Sequence, residues 1–135
     1  MAYRYQYLSA VIVGGYYRVY RELNATGDDL YTITRICTRL AHNLRQNGLG
    51  VLERVSVPQM CGGRQIGVCH VDLVVEGLIA VSVKNRCCRA EHIYALRAFL
   101  YSSGLPVGIL LQLGGERPDF RRVQNSGKLV DTEWR

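Results

Sequence analysis

The chain has 135 residues, of which 48% are hydrophobic and 21% charged, and its formal net charge is +6 at pH 7. This length gives one domain with a real core, and the composition excludes a disordered chain. No apolar run reaches the roughly 18 residues of a membrane span and the first residues lack the order of a signal peptide, so we expect an intracellular protein, cytoplasmic or nuclear, without membrane contact.

The cysteines indicate the compartment of the protein, and the charge indicates the kind of partner. Five cysteines are scattered along the chain without the short ligand spacing of a zinc site. Their odd number agrees with a reducing compartment, where they serve as buried or surface thiols. The positive net charge favours a polyanionic partner.

Two helices are predicted first. Apolar residues recur at helical spacing over residues 7–23, and a second apolar stripe runs over residues 28–47 before Gly48. Gly14 and Gly15 each cost about 1 kcal/mol inside a helix relative to Ala. We therefore expect another element to approach the first helix closely at this pair.

A period-two pattern follows, which predicts strands. The strands span residues 51–57, 68–75 and 79–84. Pro58 is expected to end the first strand, and Gly62 and Gly63 supply a turn before the second. A third helix over residues 90–102 and a last strand over residues 107–113 complete the order, which predicts an α/β or α+β fold with a small mixed sheet flanked by helices.

The stretch HVDLVVEGLIAVSVKNR, residues 70–86, predicts a hairpin with polar side chains on one face. A three-residue loop at 76–78 places Asp72 opposite Ser82 and puts Lys84 on the same face, while the other face is continuously apolar. A two-residue loop would mix the two faces, so we reject it.

An Asp, a second carboxylate ten residues on and a Lys two residues beyond would hold Mg²⁺ beside an ammonium group, which suits phosphate chemistry. Ser82 stands at the position of that second carboxylate. A neutral hydroxyl is a poor ligand for a hard cation, so Mg²⁺ affinity should fall sharply. The alternative is an ion pair between Asp72 and Lys84 across a sheet face, and local spacing alone favours this ion pair over catalysis.

Four stretches resemble the GxxExxY protein family, a branch of the PD-(D/E)XK nuclease-like superfamily: LSAVIVGGYYRVYREL, NLRQNGLGVLERVSVP, VDLVVEGLIAVSVK and SGLPVGILLQL. The resemblance covers about Leu8 to Val123. It implies a restriction-endonuclease-like core in a single domain over residues 1–123, followed by a polar tail over residues 124–135. It also implies that Asp72 matches the first metal-ligand Asp and Lys84 the catalytic Lys.

The chain departs from the family pattern at four places. Ser82 replaces the second acidic ligand, Ala95 stands where the third helix usually carries Gln, and Tyr20 stands where the first helix usually carries His. The name motif is also absent: its Glu and Tyr positions fall on Leu30 and Ile33, or on Ile33 and Ile36, depending on the end from which they are counted.

These losses together indicate a site no longer selected for hydrolysis, so we interpret the chain as a pseudo-nuclease rather than an enzyme. Its vestigial site is Asp72, Ser82 and Lys84, with Asp72 a weak or lost metal ligand. We expect no cofactor, or Mg²⁺ or Mn²⁺ if activity remains.

The first functional hypothesis is a non-catalytic module that binds nucleic acid, DNA in particular. Basic residues lie on or just after the predicted catalytic edge, with two more towards the tail: Lys84, Arg86, Arg89, Arg97, Arg121 and Arg122. In a nuclease-like fold this edge faces the phosphate backbone, so binding can outlast hydrolysis. The alternative for these residues is a solvated basic face.

Two other functions remain open. One is a weak Mg²⁺- or Mn²⁺-dependent endonuclease with a relocated carboxylate, for which Glu22, Glu76 and Glu91 are candidates. The other is a structural protein that works through protein contacts, as a homodimer, because nine tyrosines would suit an interface.

Overall fold

A computed structural model describes residues 5–26, 33–84, 89–112 and 119–125, without the side chains of residues 24–26. Its elements are α1 (Gln6–Thr26), α2 (Ile33–Gln46), β1 (Val51–Cys61), β2 (Arg64–Val75), β3 (Ile79–Lys84), α3 (Ala90–Ser103), β4 (Val107–Gln112) and β5 (Asp119–Gln124). This order confirms the predicted class, a mixed sheet flanked by helices. No helix in the described ranges is long and apolar enough to cross a membrane.

The five strands form one sheet in the order β1-β2-β3-β4-β5. The first three strands pair antiparallel, β3 and β4 pair parallel, and β5 pairs antiparallel with β4. A parallel pair requires a crossover connection, which α3 supplies. Because helices cover both faces of the sheet, residues 107–111 of β4 are all buried and read as one continuous apolar run.

The predicted β2–β3 register is confirmed. Val75 pairs with Ile79, and the three residues between them form the turn. The apolar face predicted for this hairpin is buried in one core cluster: Leu73, Val75, Ile79, Val81 and Val83.

The sheet separates two hydrophobic cores. One lies under α1 and α2, where the stripe of α2 (Ile36, Cys37, Leu40, Ala41 and Leu44) is buried against the sheet. The Tyr16 hydroxyl donates to the backbone oxygen of Gln112 and ties α1 to β4. The other core lies under α3, where Leu96, Phe99 and Leu100 are buried.

The close approach expected at the glycine pair of α1 occurs at Gly15 only. A Cβ on Gly15 would lie 2.6 Å from Oδ1 of Asn43 and 3.4 Å from methyl carbons of Leu40 and Leu44 in α2. Among the residues that the structure describes, none has an atom within 4 Å of the same position on Gly14. Gly15 therefore sets the contact between α1 and α2, and the expectation was wrong for Gly14.

The expected end of the first strand and the expected start of the second were also wrong. β1 continues through Pro58 to Cys61, and β2 begins at Arg64. β1 lies at the edge of the sheet, where a proline loses no ladder hydrogen bond if its nitrogen faces away from the partner strand. The turn shrinks to Gly62 and Gly63, with φ of 59° and 79°. β5 was missed because its polar sequence lacks the apolar pattern of a buried strand.

Candidate functional site

The site forms where β2 and β3 separate. The backbone pairing between β2 and β3 ends at Leu73 and Val81. Just beyond that pair, Oδ2 of Asp72 accepts a hydrogen bond from the backbone N–H of Val83 at 2.7 Å. The Asp72 carboxylate thus accepts a hydrogen bond where the backbone ladder has ended. This hydrogen bond holds Asp72 at the point where the two strands diverge.

In both strands of the β1–β2 hairpin, the side chains change from one face of the sheet to the other at this point. Leu73 packs in the α1/α2 core whereas Val71 packs in the α3 core, although residues two apart in a flat strand share a face. On β1 the same change occurs across Arg54, whose φ is 52°, a left-handed value. Because of this change of face, the side chains next to Asp72 line a cleft and do not lie on a flat sheet face.

The cleft has a volume of about 280 Å³. Its lining residues are Arg54, Val55, Ser56, His70, Val71, Asp72, Ser82 and Lys84. The structure therefore brings together the three side chains that the sequence grouped, and each of them is half-buried. It adds Arg54, Ser56 and His70, which the sequence reasoning missed.

The electrostatics of Asp72 reflect its position. Burial raises the pKa of this carboxyl above its ordinary value of 3.8, and the Val83 N–H and the Lys84 charge offset only part of that increase. The carboxylate is thus held in a place that disfavours its charge, even with a cation beside it.

A smaller cleft of about 70 Å³ lies on the α2 side of Asp72. Its lining shows which residues of α2 approach the site. Helix α2 contributes Ile33, Thr34, Cys37 and Thr38 to its lining. Burial, followed by the nearby charge of Asp72, raises the pKa of the Cys37 thiol to about 12. Of the alternatives for the name motif, Ile33 approaches Asp72, Ile36 is in the core, and Leu30 lies outside the described residues.

The described side chains at this site do not fit a Mg²⁺ ion. Among the described residues, Asp72 is the one carboxylate lining the larger cleft, and its Oδ2 already accepts the Val83 N–H. Ser82 offers a neutral hydroxyl, and α2 offers apolar, hydroxyl and thiol groups, whereas Mg²⁺ demands a nearly octahedral set of oxygen ligands. Within the described ranges, no group of three or more His, Cys, Asp or Glu residues could hold a metal ion.

The carboxylates proposed as substitutes from sequence do not line either cleft. Glu22 and Glu91 are exposed on α1 and α3, and Oε2 of Glu76 accepts the Gly50 N–H at 2.6 Å. The carboxylate that does line the smaller cleft beside Asp72 is Glu53, where it accepts a hydrogen bond from Nη1 of Arg45 at 2.9 Å. Finding Glu53 from sequence requires the β1–β2 register, which depends on the two-residue glycine turn.

The predicted basic residues that the structure describes lie on several elements. Lys84 lines the cleft, Arg89 is exposed just before α3, and Arg97 is half-buried on α3. Arg121 is exposed on β5, whereas Arg122 lines a separate groove between α1 and β5. Arg86 lies outside the described residues.

The antiparallel meander, the helical crossover to a parallel strand, and an Asp and a Lys at neighbouring strand ends define a nuclease-like α/β protein. The family model of the PD-(D/E)XK nuclease superfamily matches residues 6–123, and the chain belongs to this superfamily.

Comparison with solved structures supports the fold. The crystal structure of SSO0001 superposes with a TM-score of 0.53 at 19% sequence identity and covers 84% of this chain. The chain spans 61% of the length of SSO0001, and the likeness concerns the fold alone. No curated protein matches the chain significantly.

Proposed function

We propose that the chain is a degenerate member of the GxxExxY branch of the superfamily, a non-catalytic module that binds DNA at the Asp72–Lys84 cleft. The observation that carries the proposal is the composition of this cleft. Its described lining holds two cations, Arg54 and Lys84, against one carboxylate, with Ser82 at the position of the second acid.

This composition suits a phosphate better than a metal ion. Arg54 and Lys84 offer charged donors, and Ser56 and His70 offer polar groups joined by a 2.7 Å hydrogen bond between Oγ and Nδ1. Such groups position a nucleic-acid backbone without reading sequence, and the resulting attraction weakens as salt rises.

The test is a gel shift of a labelled DNA duplex at low salt, together with plasmid nicking in Mg²⁺ or Mn²⁺. We expect a salt-sensitive shift without nicking, and about fivefold weaker binding for Lys84→Ala because one phosphate contact is lost. The matched control is Arg18→Ala, which removes an exposed cation from α1, and it should bind as wild type does. Metal-dependent nicking that Lys84→Ala abolishes, or no shift at low salt, would overturn the proposal.

A second candidate function is a weak metal-dependent endonuclease. It is favoured by the position of Glu53, which lines the smaller cleft together with Asp72. In that case Glu53→Gln would abolish nicking in Mn²⁺, whereas Glu22→Gln would not.

A homodimer is a third candidate, supported by a groove of about 450 Å³ between α1 and β5. Val13, Tyr17 and Phe120 give it an apolar lining. Size-exclusion chromatography with light scattering tests this candidate, and a monomer would remove it.

A further inference from the structure

The β1–β2 hairpin continues past the cleft as a two-stranded arm, defined here as residues 54–71. β2 pairs with β1 from Arg64 to Val75, but with β3 only at residues 73–75. At about 3.3 Å per residue, the arm reaches roughly 20 Å beyond the cleft.

One face of the arm is covered and the other is open. The covered face packs against the α3 core through Val55, Val57, Cys69 and Val71. The open face carries exposed apolar side chains, with Ile66 59%, Val68 49% and Met60 40% exposed, beside exposed Pro58. A contiguous apolar patch of this kind on a protein surface marks an interaction site.

The charge of the arm favours a polyanionic partner. No Asp or Glu occurs between Glu53 and Asp72, whereas Arg54 stands at the base of the arm and Arg64 at its tip. The open face also continues directly into the cleft, since Ser56 and His70 belong to both. Pro58 on the edge strand disfavours strand addition by a second copy.

We propose that the open face of the arm enters the major groove of duplex DNA, an inference that rests on the proposed DNA binding at the cleft. The major groove admits a two-stranded β-ribbon, and apolar side chains there contact thymine methyl groups. In this arrangement Arg54 and Lys84 hold phosphates at the base of the arm, and Arg64 holds a phosphate at its tip.

The experiment compares binding of a 24-base-pair duplex by wild type and by an arm variant with Met60→Ser, Ile66→Ser and Val68→Ser. We expect at least tenfold weaker binding and a hydroxyl-radical footprint shorter by about six base pairs, since each base pair rises about 3.4 Å. The matched control is Tyr7→Ser, which changes a side chain on α1 that is 84% exposed, and it should bind normally. The major-groove ligand methyl green should compete with wild type, and the minor-groove ligand netropsin should not.

A second variant tests the arm without touching its apolar face. Arg64→Ala should make the negative slope of log K against log salt shallower by about 0.9, the value for one lost phosphate contact. If wild type binds and both variants keep its affinity, footprint and salt slope, the arm is not a DNA contact, and the proposed DNA binding at the cleft stands apart from it. If wild type does not bind duplex at all, the proposed function fails and the arm proposal falls with it.

Discussion

Asp72 is the residue whose environment has the clearest thermodynamic consequence. Its pKa is raised in the folded protein, mainly by burial. At a pH between the pKa of Asp72 in the unfolded state and its pKa in the folded state, the native state therefore binds more protons than the unfolded state. The stability contributed by the protonated carboxyl is lost as the pH rises through this interval. At neutral pH the ionised carboxylate destabilises the fold.

Asp72→Asn removes this charge and keeps an oxygen that accepts the Val83 N–H. We expect the free energy of unfolding to exceed that of wild type at pH 7, and the difference to close as the pH falls below 3.8, the ordinary value for the carboxyl. Urea unfolding over a pH series measures this difference in the free energy of unfolding. Loss of stability at pH 7 would contradict the argument, and Glu22→Gln, which removes an exposed carboxylate, serves as the control.

Ser82 decides the metal chemistry of the same cleft. Ser82→Glu places a second carboxylate on the strand beside Asp72 and restores the donor type that a hard cation requires. We expect Mn²⁺ affinity to rise at least tenfold, measured by isothermal titration calorimetry. Adding Asp72→Asn to this variant should remove the gain; if the gain persists, the new carboxylate binds metal without Asp72.

At the scale of elements, the contact between α3 and β4 depends on Gly108. A Cβ on Gly108 would lie 2.9 Å from Cγ of Leu96, in a strand buried on both faces. Gly108→Ala should therefore destabilise the fold by about 1–3 kcal/mol through overpacking.

Gly67→Ala is the matched control, because a Cβ there meets Oε1 of Gln59 at an ordinary 3.6 Å. Its effect should stay within about 0.5 kcal/mol. Chemical denaturation compares the two variants, and equal stabilities would show that Leu96 moves aside without cost.

The elements also show what sequence can predict. β3 was predicted to the residue because strict alternation and a glycine loop fix both its register and its faces. The arm was predicted too short, since Pro58 is tolerated on an edge strand. Arg54, Ser56 and His70 were missed because their place in the cleft depends on the change of face in two paired strands, which leaves no pattern in either strand alone.

At the scale of the whole molecule, the distribution of charge matters more than the net charge of +6. Arg122 lines a groove between α1 and β5 and is not among the residues that line the cleft, so we expect the total to overstate the cations that one bound duplex meets. The salt dependence of binding counts the cations that are in contact with phosphate.

We expect log K for duplex binding to fall linearly with log salt, with a slope of about −2.7 for contacts by Arg54, Arg64 and Lys84 at about −0.9 each. The double variant Arg54→Ala, Lys84→Ala should reduce the steepness by about 1.8, because two phosphate contacts are lost together. Fluorescence anisotropy from 25 to about 200 mM salt, the range over which such contacts dominate, measures both slopes. Arg18→Ala and Arg21→Ala change the net charge by the same amount in combination, and they should leave the slope unaltered because both side chains are exposed on α1 and neither lines the cleft. Equal slopes for the two double variants would mean that the duplex responds to net charge alone, and that the cleft does not bind it.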